Sequence, residues 1–163
     1  MSVNRGKQFE SVIRKQFEES DFCIDRIQDT MSGFAGAANI CDFMVYNKPY
    51  LMYLECKTTH NASFPLVNLS QKQFDGMDSK VVHDGVIAGV MIWFIDYNIT
   101  MFVPIQQIVK LKGVGCKSIS VKRLQELDDN YVTLNGYKKS NAVFFKYDLK
   151  QFWDDVVKLE GKL

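Results

Sequence analysis

The sequence predicts an α/β fold around a mixed β-sheet, and three patterns carry that expectation. An amphipathic helix opens the chain, two β-type runs meet at a proline turn, and one uninterrupted apolar run has the length of a strand buried on both faces. At 163 residues, with 47% hydrophobic and 24% charged side chains, there is enough apolar material for one sizeable core and too much for a disordered chain. The whole of 1–163 is expected to form one domain, without repeats or a Ser/Pro-rich linker.

Phe9, Val12, Ile13 and Phe17 recur at helical spacing and predict a helix from about Asn4 to Ser20, with Glu10 on the edge of its buried stripe. Phe22 to Ile27 reads as a first strand and Asp29 to Asn39 as a small-residue loop. Ile40 to Tyr46 and Tyr50 to Lys57 read as a hairpin, because Pro49 cannot donate to a ladder and belongs in the turn. Ser70 and Gln73 form a capping box that opens a second helix, carrying Phe74, Met77 and Val81 and ending near His83. Val86 to Ile95 is the doubly buried strand, with Thr100 to Val103 beside it. Pro104 suits a helix start; short helices are expected at Ile105 to Lys110 and Val121 to Asp128, a strand at Ala142 to Tyr147, and a closing helix from Asp148 to Leu159.

Composition excludes several classes. The apolar run is far short of the roughly 18 residues a bilayer span needs. The polar opening residues lack a signal peptide's apolar stretch, so the expected location is the cytoplasm and no membrane partner is expected. Cys23, Cys41, Cys56 and Cys116 show no C-x-x-C spacing and are read as reduced core thiols, and with only His60 and His83 present a zinc site is not expected. Net charge is +1, from 20 Lys and Arg against 19 Asp and Glu, so any nucleic-acid surface must come from local clustering.

A turn at Lys48-Pro49 sets Asp42 opposite Glu55, and the two-residue strand period puts Lys57 on Glu55's face. Directly opposed like charges are destabilising. Two close carboxylates make a site for Mg²⁺ or Mn²⁺, which prefer hard oxygen ligands, and Glu10 is a candidate third carboxylate. Lys57 would then stand beside a phosphate oxygen, where positive charge stabilises the transition state of phosphodiester hydrolysis. From spacing alone, a solvated salt-bridge cluster on the sheet explains the same residues.

Two basic clusters could contact phosphates: Arg5, Lys7, Arg14 and Lys15 near the start, and Lys110, Lys112, Lys117, Lys122 and Arg123 within an acid-free stretch from Pro104 to Gln125. Gly113 and Gly115 would let the backbone approach a phosphate, Lys138 and Lys139 would extend the surface, and an ordinary solvated face remains the alternative. Most aromatics are expected in the core, with Phe34 the exception.

Asn4-Arg5-Gly6-Lys7-Gln8-Phe9-Glu10, Cys41-Asp42-Phe43, Leu54-Glu55-Cys56-Lys57, Phe64-Pro65-Leu66 and Gln73 together resemble the RecU-type Holliday-junction resolvases, members of the PD-(D/E)xK nuclease superfamily. The similarity runs from about Asn4 to Pro104, leaving 105–163 as C-terminal additions. It implies a restriction-endonuclease-like fold, with a mixed central sheet flanked by helices. It also implies a Mg²⁺- or Mn²⁺-dependent endonuclease that resolves four-way DNA junctions as a homodimer in recombination and repair. Asp42, Glu55, Glu10 and the backbone carbonyl of Cys56 are then the metal ligands, Lys57 the catalytic lysine, and Gln73 a glutamine lining the site. Ser32 is similar to a DNA-contacting serine of the related archaeal resolvases, and Arg5, Lys7, Arg14, Lys110, Lys112 and Lys117 become DNA contacts. The short chain suits a phage-encoded version acting in the host cytoplasm.

The chain departs from the family in two places. Asp29 to Asn39 has no Lys or Arg where RecU-type proteins carry a longer basic stalk, and Cys41 stands where many superfamily members have proline. A nuclease of linear or flapped DNA, a catalytically idle DNA-binding module and a protein-interaction domain are the rival functions. Phe43, Met44 and Met52 are the candidate dimer contacts.

Overall fold

A computed structural model describes residues 4–27, 39–126 and 130–163. Helix α1 (Arg5–Glu18) is followed by strands β1 (Cys23–Arg26), β2 (Phe43–Asn47), β3 (Tyr50–Thr59) and β4 (Ser63–Pro65), then helix α2 (Gln71–Asp78). Strands β5 (Val86–Phe94) and β6 (Ile99–Pro104) lead to α3 (Ile105–Gly113), β7 (Ser118–Ser120) and α4 (Val121–Glu126). Strands β8 (Val132–Thr133), β9 (Gly136–Tyr137) and β10 (Lys146–Tyr147) precede the closing helix α5 (Leu149–Glu160).

The main sheet runs β1-β2-β3-β5-β6-β8. Only β3 and β5 are parallel; a parallel pair cannot be joined by a tight turn, and the segment carrying α2 makes the crossover. The other neighbours are antiparallel. Helices cover both faces. Phe9, Ile13 and Phe17 of α1 pack with Phe152, Trp153 and Val156 of α5 on one side, while Met77 of α2, Ile108 of α3 and Leu124 of α4 pack on the other. With both faces covered, β5 is buried from Ile87 to Phe94, which is why its sequence is continuously apolar rather than alternating. Gly89 belongs to this packing: a Cβ there would stand 2.4 Å from the Phe102 ring and 2.6 Å from the Val103 carbonyl.

Each end of the capped helices follows local chemistry. Asn4 caps α1 by accepting the Lys7 N–H, and Asp148 caps α5 by accepting the Gln151 N–H. The hairpin has the expected register, with Phe43 opposite Leu54 and Asn47 opposite Tyr50.

Several expectations need correction. Helix α2 stops at Asp78 rather than near His83: the Ser79 N–H bonds back to Asp75 and Met77, and its hydroxyl donates to the Gly76 carbonyl at 2.8 Å, closing the turn. The expected strand over Ala142 to Tyr147 shrinks to Lys146–Tyr147, since only Gly136 and Tyr137 pair with it. Phe43 and Met52, at 1% and 0% exposure, point into this chain's own core and have no surface to offer a dimer. Cys23 is exposed rather than buried, although all four thiols are free as expected. Ser32 and Phe34, and the loop around them, lie outside the described residues.

Candidate active site

The site forms where β2 begins, beside the middle of β3. Asp42 immediately precedes β2; its backbone N–H donates to the Leu54 carbonyl at 3.2 Å and its Oδ2 accepts the Cys56 N–H at 2.8 Å. The carboxylate is thereby held at the mouth of the hairpin, one step from Glu55. Glu55 is almost wholly buried, at 2% side-chain exposure. Its Oε1 accepts from Lys57 Nζ and from Gln73 Nε2, both at 2.6 Å. Its Oε2 is buried and has no hydrogen-bond partner.

Gln73 makes the expected capping box and also reaches Glu55. The amide oxygen accepts the Ser70 N–H at 3.1 Å, completing the capping box of α2, while the amide nitrogen reaches Glu55. One side chain therefore starts the helix and fixes the carboxylate of the neighbouring strand. Because the two ends of the amide face an acceptor and a donor, its orientation is determined.

The electrostatics of these groups are linked. Burial first, and the Asp42 charge second, push the Glu55 carboxyl up to about 7, against the pull of Lys57 and Gln73. Glu10, part-buried on α1, is raised by burial and then by Asp42, opposed by Arg26, Lys57 and Lys7. The same negative field reaches two thiols: burial and then Glu55 push Cys41 up to about 12, and burial, Asp42 and Glu55 raise Cys56 well above its ordinary value. Asp42 raises both Glu55 and Glu10, and the neighbouring cations only partly offset burial and this repulsion.

That imbalance, together with the orphaned Glu55 Oε2, fits a hard divalent cation, because buried carboxylate oxygens without donors are what such an ion coordinates. Among the described residues no group of three or more His, Cys, Asp or Glu forms a ready-made metal site. The fit therefore rests on Asp42 and Glu55, with Glu10 flanking them.

The basic residues divide around this centre. Lys7, Arg14 and Arg26 line a cleft with Glu10, Ser11 and Phe43, and Arg26 lies 3.4 Å from Glu10. Arg26 carries no signal of its own in the sequence, because its reach to Glu10 depends on β1 pairing at the sheet edge. Arg14 also pairs with Glu18 at 2.8 Å, and Arg5 donates to Gln8 at 3.1 Å. On the other side of the sheet Lys112 stands 3.7 Å over the Phe74 ring, joining α3 to α2 one residue from Gln73. The Lys117 carbonyl accepts the Leu66 N–H at 2.9 Å, and β7 pairs with β4, so this basic segment is tied to the Phe64-Pro65-Leu66 motif. Lys110 sits in the last turn of α3.

A six-stranded mixed sheet with helices on both faces, with an aspartate, a buried glutamate and a lysine at one mouth, is a restriction-endonuclease-like architecture. The family profile of Recombination protein U, RecU, matches residues 23–147. The chain belongs to the RecU family of Holliday-junction resolvases and is a junction-resolving nuclease. Its fold is similar to that of Hjc, a Holliday junction resolvase from Archaeoglobus fulgidus. The TM-score is 0.54 and the identity 17%, over 74% of this chain and 93% of that one. No curated protein matches the sequence. Resolvases of this superfamily generally use divalent metal ions.

Proposed function

We propose that this chain, acting as one nuclease domain over 1–163 and as a homodimer, nicks two strands of a four-way DNA junction with Mg²⁺ or Mn²⁺. The observation that carries the site assignment is Glu55, buried beside Asp42 with one oxygen held by Lys57 and Gln73 and the other without a donor. Asp42, Glu55 and the Cys56 carbonyl would hold the ion, and Glu10 would complete the set once mutual repulsion is relieved. A bound divalent ion supplies positive charge against the negative charge that builds on phosphorus.

The remaining work falls to this chain's own groups. Lys57 carries three N–H donors and spends one on Glu55, leaving donors to orient the attacking water and a phosphate oxygen. Gln73 prevents Glu55 from rotating away, and Asp42 is fixed by the Cys56 N–H. Arg5, Lys7 and Arg14 on one side, and Lys110, Lys112 and Lys117 on the other, would contact the backbone of the DNA arms, with Ser32 an additional contact. Such a protein would act where branched DNA is processed, in the cytoplasm, or in the host cytoplasm if it is phage-encoded.

The test is a labelled four-way junction, with linear and flapped duplexes alongside, incubated with Mg²⁺, with Mn²⁺ and with chelator. The expected result is paired nicks near the branch point that need the ion. Asp42→Asn and Lys57→Ala should each lower nicking by roughly a hundredfold or more while junction binding survives. Equal cutting of linear duplex would remove junction selectivity, and no cutting by the unmutated protein would remove the enzymatic assignment.

A further inference from the structure

On the flank of α1 away from Glu10, that helix and the β9–β10 hairpin enclose an open groove of about 390 Å³ that the nuclease site does not use. It falls within the roughly 300–1,000 Å³ typical of small-ligand pockets. Val12, Phe144 and Phe145 supply an apolar floor and Tyr137, 60% exposed, stands at its edge. Lys15, Lys139 and Lys146 line the same groove against one acid, Glu19. Glu19 is already bonded by Lys146 at 2.8 Å and approached by Lys15 at 3.9 Å, so the local balance is positive.

The groove is built rather than incidental. Buried Gln16 donates to the Phe145 carbonyl at 2.9 Å and accepts the Tyr147 N–H at 2.8 Å, fastening the hairpin to α1. The Phe144 ring rests on Trp93 with centroids 5.1 Å apart, and Phe145 stacks on Tyr147 at 5.8 Å. Lys138 lies 4.7 Å over the Phe145 ring and also donates to Asn98, tying the hairpin to the β5–β6 turn.

We propose that this groove is a second DNA contact that takes an unstacked nucleotide of a single strand. The base would lie on the aromatic floor against Tyr137, and its flanking phosphates on Lys15, Lys139 and Lys146. One exposed ring above two part-buried ones, set among lysines in excess of acids, suits sequence-tolerant single-strand binding, since every base offers a π-face and every linkage a negative charge. The proposal rests on the nuclease assignment and deepens it: Arg14 and Lys15 are neighbours on α1, so a strand leaving the Glu10 cleft would cross that helix to reach the groove.

The experiment is fluorescence anisotropy with a labelled oligothymidylate and the full chain in chelator, repeated at several salt concentrations. Tyr137→Ala and Lys139→Glu change exposed residues, and circular dichroism checks that both variants fold. Each should weaken strand binding by roughly fivefold or more, and Lys139→Glu should also flatten the salt slope by at least about 0.7. Asp42→Asn should leave this affinity within twofold, which separates the groove from the nuclease site. An iodouracil-substituted strand should crosslink to the 137–145 hairpin. Oligothymidylate affinity unchanged in both variants would overturn the proposal, as would a free thymidine nucleotide that binds as tightly as the strand. Because the readout needs neither metal nor cleavage, a failed junction assay and a failed groove assay are told apart.

Discussion

Glu55 concentrates the physical tension of the molecule. A carboxylate in a nearly dry site beside a second carboxylate favours its protonated form, and here the group is raised from its ordinary 4.5 to about 7. With the folded value above the unfolded one, the folded chain holds the extra proton between the two. The stability gained is therefore complete below about 4.5 and lost as pH rises through about 7. Glu10, raised for the same reasons, works in the same direction. Metal-free protein should lose on the order of 1–3 kcal/mol of stability between pH 5 and pH 8, read as a falling melting temperature. Glu55→Gln, which keeps the shape and removes the charge, should flatten that profile and melt higher than the parent at pH 8. Added Mg²⁺ should raise the parent's melting temperature more at pH 8 than at pH 5, because only the ionised carboxylate is a good ligand. A parent profile that is flat over this range would show that Glu55 is not held protonated by burial.

Helix α2 joins the two halves of the site. Three residues after Ser70 it presents Gln73 to Glu55, and three residues later Gly76 meets Ile40, two positions before Asp42. A Cβ on Gly76 would stand 2.4 Å from Ile40 Cγ2 and 2.8 Å from its Cβ, too close to be absorbed without moving the segment that aims Asp42. Gly76→Ala gains up to about 1 kcal/mol in helix propensity, but forcing a methyl into a filled contact costs about 1–3 kcal/mol. The clash should win: urea melts should show net destabilisation, and junction nicking should fall by more than junction binding. Gly76→Ala combined with Ile40→Ala should recover part of both, as a double-mutant cycle reads coupling between touching residues. Additive losses would place the effect elsewhere. Elements such as α2 also differ in how plainly the sequence displays them. The capping box, the hairpin register and the doubly buried β5 follow from local chemistry and period, so the residues alone announce them. Strands β4, β7 and β8 are silent in that sense, since two or three residues become a strand only by finding a partner far along the chain, as Ser63 does with Ser120. The Asp42, Glu55 and Lys57 constellation is legible because the turn at Pro49 is local. Arg26 is not, because its nearness to Glu10 is a product of the sheet edge.

Over the whole molecule a formal charge of +1 conceals local clustering: Asp42 acts on both Glu55 and Glu10, while Lys112 is seated on the α2–α3 face. Steering of a polyanion depends on that local arrangement rather than on the sum. Lys112 and Lys117 belong to the segment anchored on Phe74 and Leu66, so a DNA arm lying there would pass close to Gln73 and the site. Each phosphate neutralised releases condensed counterions, so removing one lysine from a duplex backbone lowers the slope of log affinity against log salt by about 0.9. Lys112→Glu and Lys117→Glu should therefore each weaken junction binding and lower the slope by roughly that amount or more. Lys117→Glu should melt near the parent, whereas Lys112→Glu should also lose the roughly 0.5–1 kcal/mol of its contact with the Phe74 ring. Cleavage at saturating protein should be nearly unchanged, because neither lysine touches the carboxylates. Asp42→Asn should do the reverse, leaving the slope and abolishing nicking. If both lysine variants bound junctions with the parent's affinity and slope, the DNA would have to approach from the Lys7, Arg14 and Arg26 side alone.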